Sequence, residues 1–337
     1  MPALYQKILS RINRESRYLF RDAGYRLGLY ERFYRSARGA RILNYHGICL
    51  NNHLRFNAIF LKLKTFEEHL KFYKEYFNII SLDDYYQQRF SNDKFNICLT
   101  FDDGFANNYK YVLPLLEQYQ IPATFFISTI RAEGGDILWN DFLAIVSKYG
   151  PSKISFKNEV YYKGTGRKYI SETTGISIND QLHYTGVAEK KEMMAELYPL
   201  VPFKTNVKEE DYWLQMTEEQ IRDLARSPRV SIGAHSFYHN DLSKIKIEDA
   251  SDEMQTSKLY LENLIGKPVT SLAFPYGAYT SLVVAKAKEI GYKQLLALDF
   301  YNEVDKHDAF MRERFTINPF ISTNNQMYAT IMGNYED

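Results

Sequence analysis

The patterning of this chain predicts an α/β fold with parallel strands, a β/α barrel that is open or complete. Three observations carry that expectation. From Ala40 onward, short apolar runs alternate with amphipathic stretches, and strand–helix alternation implies parallel strands joined by helical crossovers. Seven or so such strands can be counted along the body of the chain, enough for a barrel. Several of them end in reactive polar residues, at the strand ends where α/β sheets and barrels present their chemistry.

The elements follow in order. Residues 1–40 read as a basic helical extension in which Leu4, Ile8, Ile12, Leu19 and Ala23 recur at near-helical spacing with arginines between them. Such a helix either lies on an anionic membrane surface or packs on the domain with a solvated basic face. ARILNYHGI is a buried strand, and TFEEHLKFYKEYF a helix with Phe66, Leu70 and Tyr73 on one face. FNIISL is a strand, LDDYYQQRF a short helix, and FNICLTFDDG a strand closing in acidic residues. ANNYKYVLPLLEQYQ is a helix and IPATFFIS a strand. Between about 131 and 215 the rhythm breaks into an inserted α+β subregion, with a β-hairpin around Gly164 and Gly166 and a helix near 188–198. The alternation then resumes. MTEEQIRDLARS is a helix with Thr217 as N-cap and Gln220 three positions on, a capping-box pattern. VSIGAHS, TSLAFPYG, YKQLLAL and MRERFTI are strands, with helices over IEDASDEMQTSKLYLENLIG and SLVVAKAKEIG. Residues 41–337 thus form the barrel body, interrupted by the insertion.

Composition excludes classes without choosing one. The 337 residues carry 42 Lys and Arg against 41 Asp and Glu, a net charge of +1, which argues against a nucleic-acid-binding surface. The balance is uneven: residues 1–41 hold ten basic and three acidic residues, a net of +7 that leaves −6 for the rest. Two cysteines, Cys49 and Cys98, make neither a disulfide framework nor a CxxC metal spacing. No secretory signal or transmembrane helix is visible, so the expected location is cytoplasmic, with residues 1–38 available for peripheral contact at the inner membrane face.

Four predicted strand ends are polar in a coordinated way: Tyr45-His46, Asp102-Asp103-Gly104, His235-Ser236-Phe237-Tyr238-His239 and Pro275-Tyr276-Gly277. Adjacent carboxylates at the end of an apolar strand are costly unless a cation or proton stabilises them. Two histidines four apart can reach one cation. One carboxylate with two imidazoles leaves coordination positions open for water and substrate. The bland alternative is that the aspartates cap a helix and the histidines are structural.

LTFDDGF, IGAHSFYH and AFPYG closely resemble the first three motifs of the polysaccharide deacetylases of carbohydrate esterase family four, and ILNYHGI matches their usual upstream strand. The resemblance covers about 42–130 and 213–317. It implies a distorted (β/α)7 barrel holding one divalent metal, usually zinc, that removes an N- or O-acyl group from a sugar. On that analogy Asp103, His235 and His239 hold the metal and Asp102 is the general base for attacking water. The metal and a backbone N–H near Tyr276, in the Pro275-Tyr276 motif, would stabilise the oxyanion.

The departures point elsewhere in the chain. The family often has an arginine two residues before the third-motif proline, where this chain has Ala273; Arg314, or alternatively Arg312, could replace it, or is a surface arginine. The late Leu-x-His motif that supplies the family's general acid is missing; His46, at the end of the first strand, is either a candidate for the acid or for substrate contact or a structural residue. A subset of the family lacks the third-motif arginine and has a similar early Tyr-His, and this chain looks closer to it. Trp139 and Asp141 open the insertion and could stack on a sugar and contact its hydroxyls, or anchor the core. His53, His69, His183 and His307 read as ordinary surface or boundary residues.

The expected function is removal of an N-acyl group, acetyl by analogy, from an amino-sugar glycan or a lipid-linked glycan precursor. The alternatives are a metal-containing glycan-binding module without catalysis and a hydrolase of a non-sugar C–N bond.

Overall fold

The computed structural model describes residues 2–55, 58–201, 204 and 207–335. Its centre is a nine-stranded parallel sheet. Neighbouring strands run in the order Met311–Arg312, Gln294–Leu296, Ser271–Ala273, Val230–Ala234, Ala123–Ile127, Phe95–Phe101, Ala40–Tyr45 and Phe315–Thr316, with Phe77–Ile79 also paired to Phe95–Phe101. Helices including Leu63–Tyr76, Leu113–Tyr119, Glu218–Arg226, Ile247–Ile265 and Ser281–Ile290 intervene between these strands. The fold is the expected α/β barrel type.

The last segment departs from the single strand expected over MRERFTI. Met311–Arg312 pairs with Leu295–Leu296 at one edge of the sheet, while Phe315–Thr316 pairs with Leu43–Asn44 at the other. One short stretch of chain therefore bridges both edges, and it breaks at Glu313-Arg314 to do so.

Strand alternation divides the core in two. Leu43, Ile97, Leu99, Phe125, Leu272 and Leu295 belong to the main cluster, which includes Phe66, Leu70 and Tyr73 of the Leu63–Tyr76 helix. Ile42, Cys98, Phe126, Ala273 and Leu296 form a separate small cluster. On the Phe95–Phe101 strand, Cys98 is followed at alternate positions by buried Thr100 and, just beyond the strand, by Asp102. The strand that supplies an apolar plug thus also delivers a carboxylate to the same side.

The helix after Asp103 opens with a π-helical turn at Asn108–Val112 before Leu113–Tyr119. Pro114 lacks the amide that would continue the regular i→i−4 ladder at this point, which accounts for the irregularity. At Glu218–Arg226 the Thr217 hydroxyl accepts from the Gln220 amide while the Gln220 side chain accepts from the Thr217 N–H.

The inserted region contains its own antiparallel sheet of Lys153–Phe156, Glu159–Lys163 and Tyr169–Ser171. Its tight hairpin turn lies at Lys157-Asn158, both at positive φ (48° and 62°), rather than at Gly164 and Gly166, which join the second strand to the third. Two consecutive left-handed residues are what a two-residue hairpin loop requires, and Asn tolerates that conformation. Helices Trp139–Tyr149 and Val187–Leu197 pack with this sheet around a separate apolar cluster that includes Phe142, Val146, Tyr169, Met193 and Trp213.

Candidate active site and metal centre

Asp102 and Asp103 follow the Phe95–Phe101 strand, and His235 follows Val230–Ala234. All are 2–3% exposed, and His239 is 5% exposed. Asp103 has a left-handed backbone (φ 75°), as do Ser236 (φ 58°) and His239 (φ 57°). Such non-glycine conformations cost of order 1–3 kcal/mol each and concentrate at functional sites.

Asp103 Oδ1 lies 3.4 Å from His235 Nε2 and 3.2 Å from His239 Nε2. The ligand atoms of these three residues all fall within 4.8 Å of one another. His235 Nδ1 is 2.7 Å from the Ala273 carbonyl, an acceptor, so Nδ1 carries the proton and Nε2 turns its lone pair toward Asp103. Asp103 Oδ1 is buried without a hydrogen bond. A buried carboxylate oxygen facing two imidazole nitrogens is the donor set of a divalent N/O metal, so these residues fit one. Burial pushes His235 down, but Asp102 and Asp103 outweigh it and hold the imidazole above its ordinary value. Burial likewise pushes Asp103 up, yet the two histidines beside it keep it well below the carboxylate range. Protons and a metal would therefore compete for this cluster.

Asp102 lies beside this cluster, clamped by Arg314. The guanidinium donates to it twice, Nη1 to Oδ1 at 2.7 Å and Nη2 to Oδ2 at 2.8 Å. Arg314 sits at the break in the closing segment, its side chain fully buried, and also donates to Asn44 Oδ1 at 3.2 Å. Burial raises Asp102, but Arg314, with His235 nearby, holds it below its ordinary value. The result is an ionised, oriented carboxylate whose Oδ2 is 3.9 Å from His235 Nε2. Arg312 faces elsewhere, donating to the Asp308 and Met311 carbonyls and covering the Tyr86 ring.

His46 is half-buried and within electrostatic reach of Asp103, Asp102 and Arg314; burial lowers its pKa against the pull of the carboxylates. Pro275 is buried, and Tyr276 (φ 59°) places its ring 4.7 Å from that of His239. Trp139 is 3% exposed and offers no open face to a sugar; its indole N–H donates instead to the His239 carbonyl at 3.2 Å. Asp141 is buried in the first turn of the same helix.

Of the histidines expected at surface or boundary positions, His69 departs by its burial, while His183 is at the boundary but beside the site. His69 is a core residue whose Nδ1 is 3.0 Å from the Tyr45 hydroxyl. His183 lies against the site, 4.6 Å ring to ring from Tyr276 and 5.4 Å from Trp139. It arrives at the C-terminal end of the Ile178–Leu182 helix, and no motif in the sequence marks it. His53 is half-buried 6.3 Å from Phe320, and His307 is exposed.

The polysaccharide deacetylase family profile matches residues 91–149 and 195–295, which hold Asp102, Asp103, His235 and His239 and leave unmatched only the middle of the insertion between them. YxkH of Bacillus subtilis (strain 168), provisionally named a polysaccharide deacetylase, is 21% identical over 262 residues, covering 75% of this chain. The chain spans 62% of that relative's length. Among solved structures, the Streptococcus pyogenes deacetylase PplD, in complex with acetate, aligns with a TM-score of 0.55 at 17% identity, over 86% of this chain and 97% of its own. The polysaccharide deacetylase BC0361 of Bacillus cereus aligns at 0.53 and 18%, over 87% and 68%. At these identities the structural likenesses establish the barrel fold.

Proposed function

Because the chain belongs to the polysaccharide deacetylase family, we propose that it is a metal-dependent hydrolase that removes an acetyl group from an amino sugar of a glycan or lipid-linked glycan precursor. The observation that carries this reading is the juxtaposition of Asp102, clamped by Arg314, with the buried Asp103–His235–His239 donor set. The acetate complex of PplD supports acetyl as the group removed.

Asp103, His235 and His239 would hold the metal, most simply zinc, which supplies Lewis acidity and lowers the pKa of water. Asp102 accepts the proton of the attacking water, a task for which its ionised form is required. Arg314 fixes both carboxylate oxygens, so the base cannot rotate out of line. His46, half-buried beside the same carboxylates, is the candidate to hand a proton to the departing amine, and Tyr276 borders the acyl position. Release of acetate from an N-acetylated amino-sugar oligomer tests the assignment. Asp102→Asn should lower the rate by about 10²-fold or more while the protein still binds zinc. Undiminished turnover by this variant contradicts the role of Asp102.

A cytoplasmic enzyme working at the inner membrane face is the setting we favour, with the N-terminal helix as its membrane contact. Among the described residues no helix is long and apolar enough to cross a membrane. The helix Pro2–Arg26 docks one face on the body: Arg21 donates to Asn325 Oδ1 at 3.0 Å and Asp22 accepts from Ser322 at 2.6 Å. Leu19, Phe20 and Leu27 stay 71–79% exposed, among the exposed Arg11, Arg14, Arg17 and Arg26. The side chains of Leu4, Ile8 and Ile12 lie outside the described residues. An apolar row flanked by arginines suits the interface of an anionic bilayer.

A further inference from the structure

The inserted region meets the barrel at the turn that carries His239. We propose that Trp139 and Lys190 are positioning residues, through which the insertion holds the 236–240 turn in the conformation that presents His239 to the metal. The proposal rests on the metal-site reading above.

The turn is backbone-strained at both Ser236 and His239, so its geometry has to be maintained by contacts around it. Within the barrel, the Ser236 hydroxyl accepts from the His239 amide at 3.0 Å. Glu253, on the Ile247–Ile265 helix, accepts from the Tyr238 amide at 3.1 Å. Neither contact restrains the His239 carbonyl. That group is taken by the Trp139 indole N–H at 3.2 Å, from the first residue of the insertion's Trp139–Tyr149 helix.

Lys190 secures the same joint from the insertion's other helix, Val187–Leu197. Its ammonium donates to Asn240 Oδ1 and, at 3.2 Å, to the Thr185 carbonyl, and it lies 4.6 Å from the Trp139 ring centroid. Asn240 in turn donates to Glu253. A cation, an amide and a carboxylate thus connect in series across the junction, with Lys190, Asn240 and Glu253 all buried. Long ammonium side chains are rarely buried without such partners. A lysine serving only to solubilise the insertion would be solvated, and the buried indole N–H, which requires an acceptor, takes the carbonyl of a proposed metal ligand.

The test measures zinc affinity, by competition with a chromophoric chelator, and the rate of zinc release, in the full chain. Trp139→Phe keeps an aromatic ring and removes the donor; Lys190→Met keeps length and removes the charge. Each should raise the zinc dissociation constant by about tenfold and speed release, within the range for losing groups that orient metal ligands. The melting temperature of the zinc-free protein is read in parallel. A fall in melting temperature with wild-type zinc affinity in both variants would make the contacts structural and overturn the proposal. Should one variant fail to fold, the other decides. A wild-type chain that binds no zinc overturns the metal-site reading itself, which is distinguishable from intact wild-type binding that the variants leave unchanged.

Discussion

At the residue scale, the Asp102–Arg314 pair has the clearest energetic consequence. Two buried charges meet in bidentate geometry, and removing one leaves the other unpaired in the barrel interior. Arg314→Met should therefore destabilise the fold by about 3–5 kcal/mol, visible as a fall of several degrees in melting temperature. The same substitution should move the acid limb of acetate release to higher pH, because Asp102 loses the cation that keeps its carboxyl low. For Asp102 and Asp103, whose folded values are depressed, the contribution to stability is present above the unfolded value of about 4. It is lost as pH falls through the lower folded value. His235 runs the other way: its folded value is raised, so its contribution in the zinc-free protein is present at acid pH and is lost as pH rises through that value. Protons and metal compete for the same Nε2 atom, so zinc affinity measured by titration should weaken as pH falls through the histidine range.

At the element scale, the strands set where these groups meet. Gly233, two residues before His235, has no room for a methyl group: a Cβ there would meet the Phe126 ring at 2.4 Å and Ser271 Oγ at 2.6 Å. Gly233→Ala should cost about 1–3 kcal/mol of stability by displacing the strand that delivers His235, and should weaken zinc binding with it. By contrast Thr217→Ala, which removes a helix cap whose side chain bonds only within its own first turn, should cost about 1 kcal/mol and leave zinc affinity unchanged. Melting curves paired with zinc titrations separate the two. These elements also show what could be read without coordinates. The helix over 63–76, the capping box at Thr217 and the strands ending at Asp102 and His235 were legible because each depends on local periodicity or a local motif. The break at Glu313-Arg314 was not, because it arises from joining the Gln294–Leu296 and Ala40–Tyr45 strands, which lie far apart in sequence. The Lys157-Asn158 turn was overshadowed by the more conspicuous glycines nearby.

At the scale of the whole molecule, the uneven charge acquires a location. The basic excess of residues 1–41 lies on a segment that is anchored to the body by Arg21 and by the fully buried Tyr34, while Leu19, Phe20 and Leu27 face outward. Deleting the segment would open the core around Tyr34, so the point variant Leu19→Asp/Phe20→Asp is the cleaner probe. It should lose co-sedimentation with phosphatidylserine-containing vesicles at low salt; undiminished binding would refute a membrane role for this face. The insertion was visible in the sequence as a break in rhythm, but its approach to the site was not. His183 and Lys190 carry no local signature, and tertiary packing alone brings them to Tyr276 and Asn240.

The claim on which the rest depends is that Asp103, His235 and His239 form one metal centre beside Asp102. Zinc content per chain, measured by mass spectrometry after loading and dialysis of wild type, Asp103→Asn and Asp102→Asn, tests it most directly. The account predicts about one zinc in wild type and in Asp102→Asn, and essentially none in Asp103→Asn. Stoichiometric zinc in Asp103→Asn, or none in the wild-type chain, would contradict it.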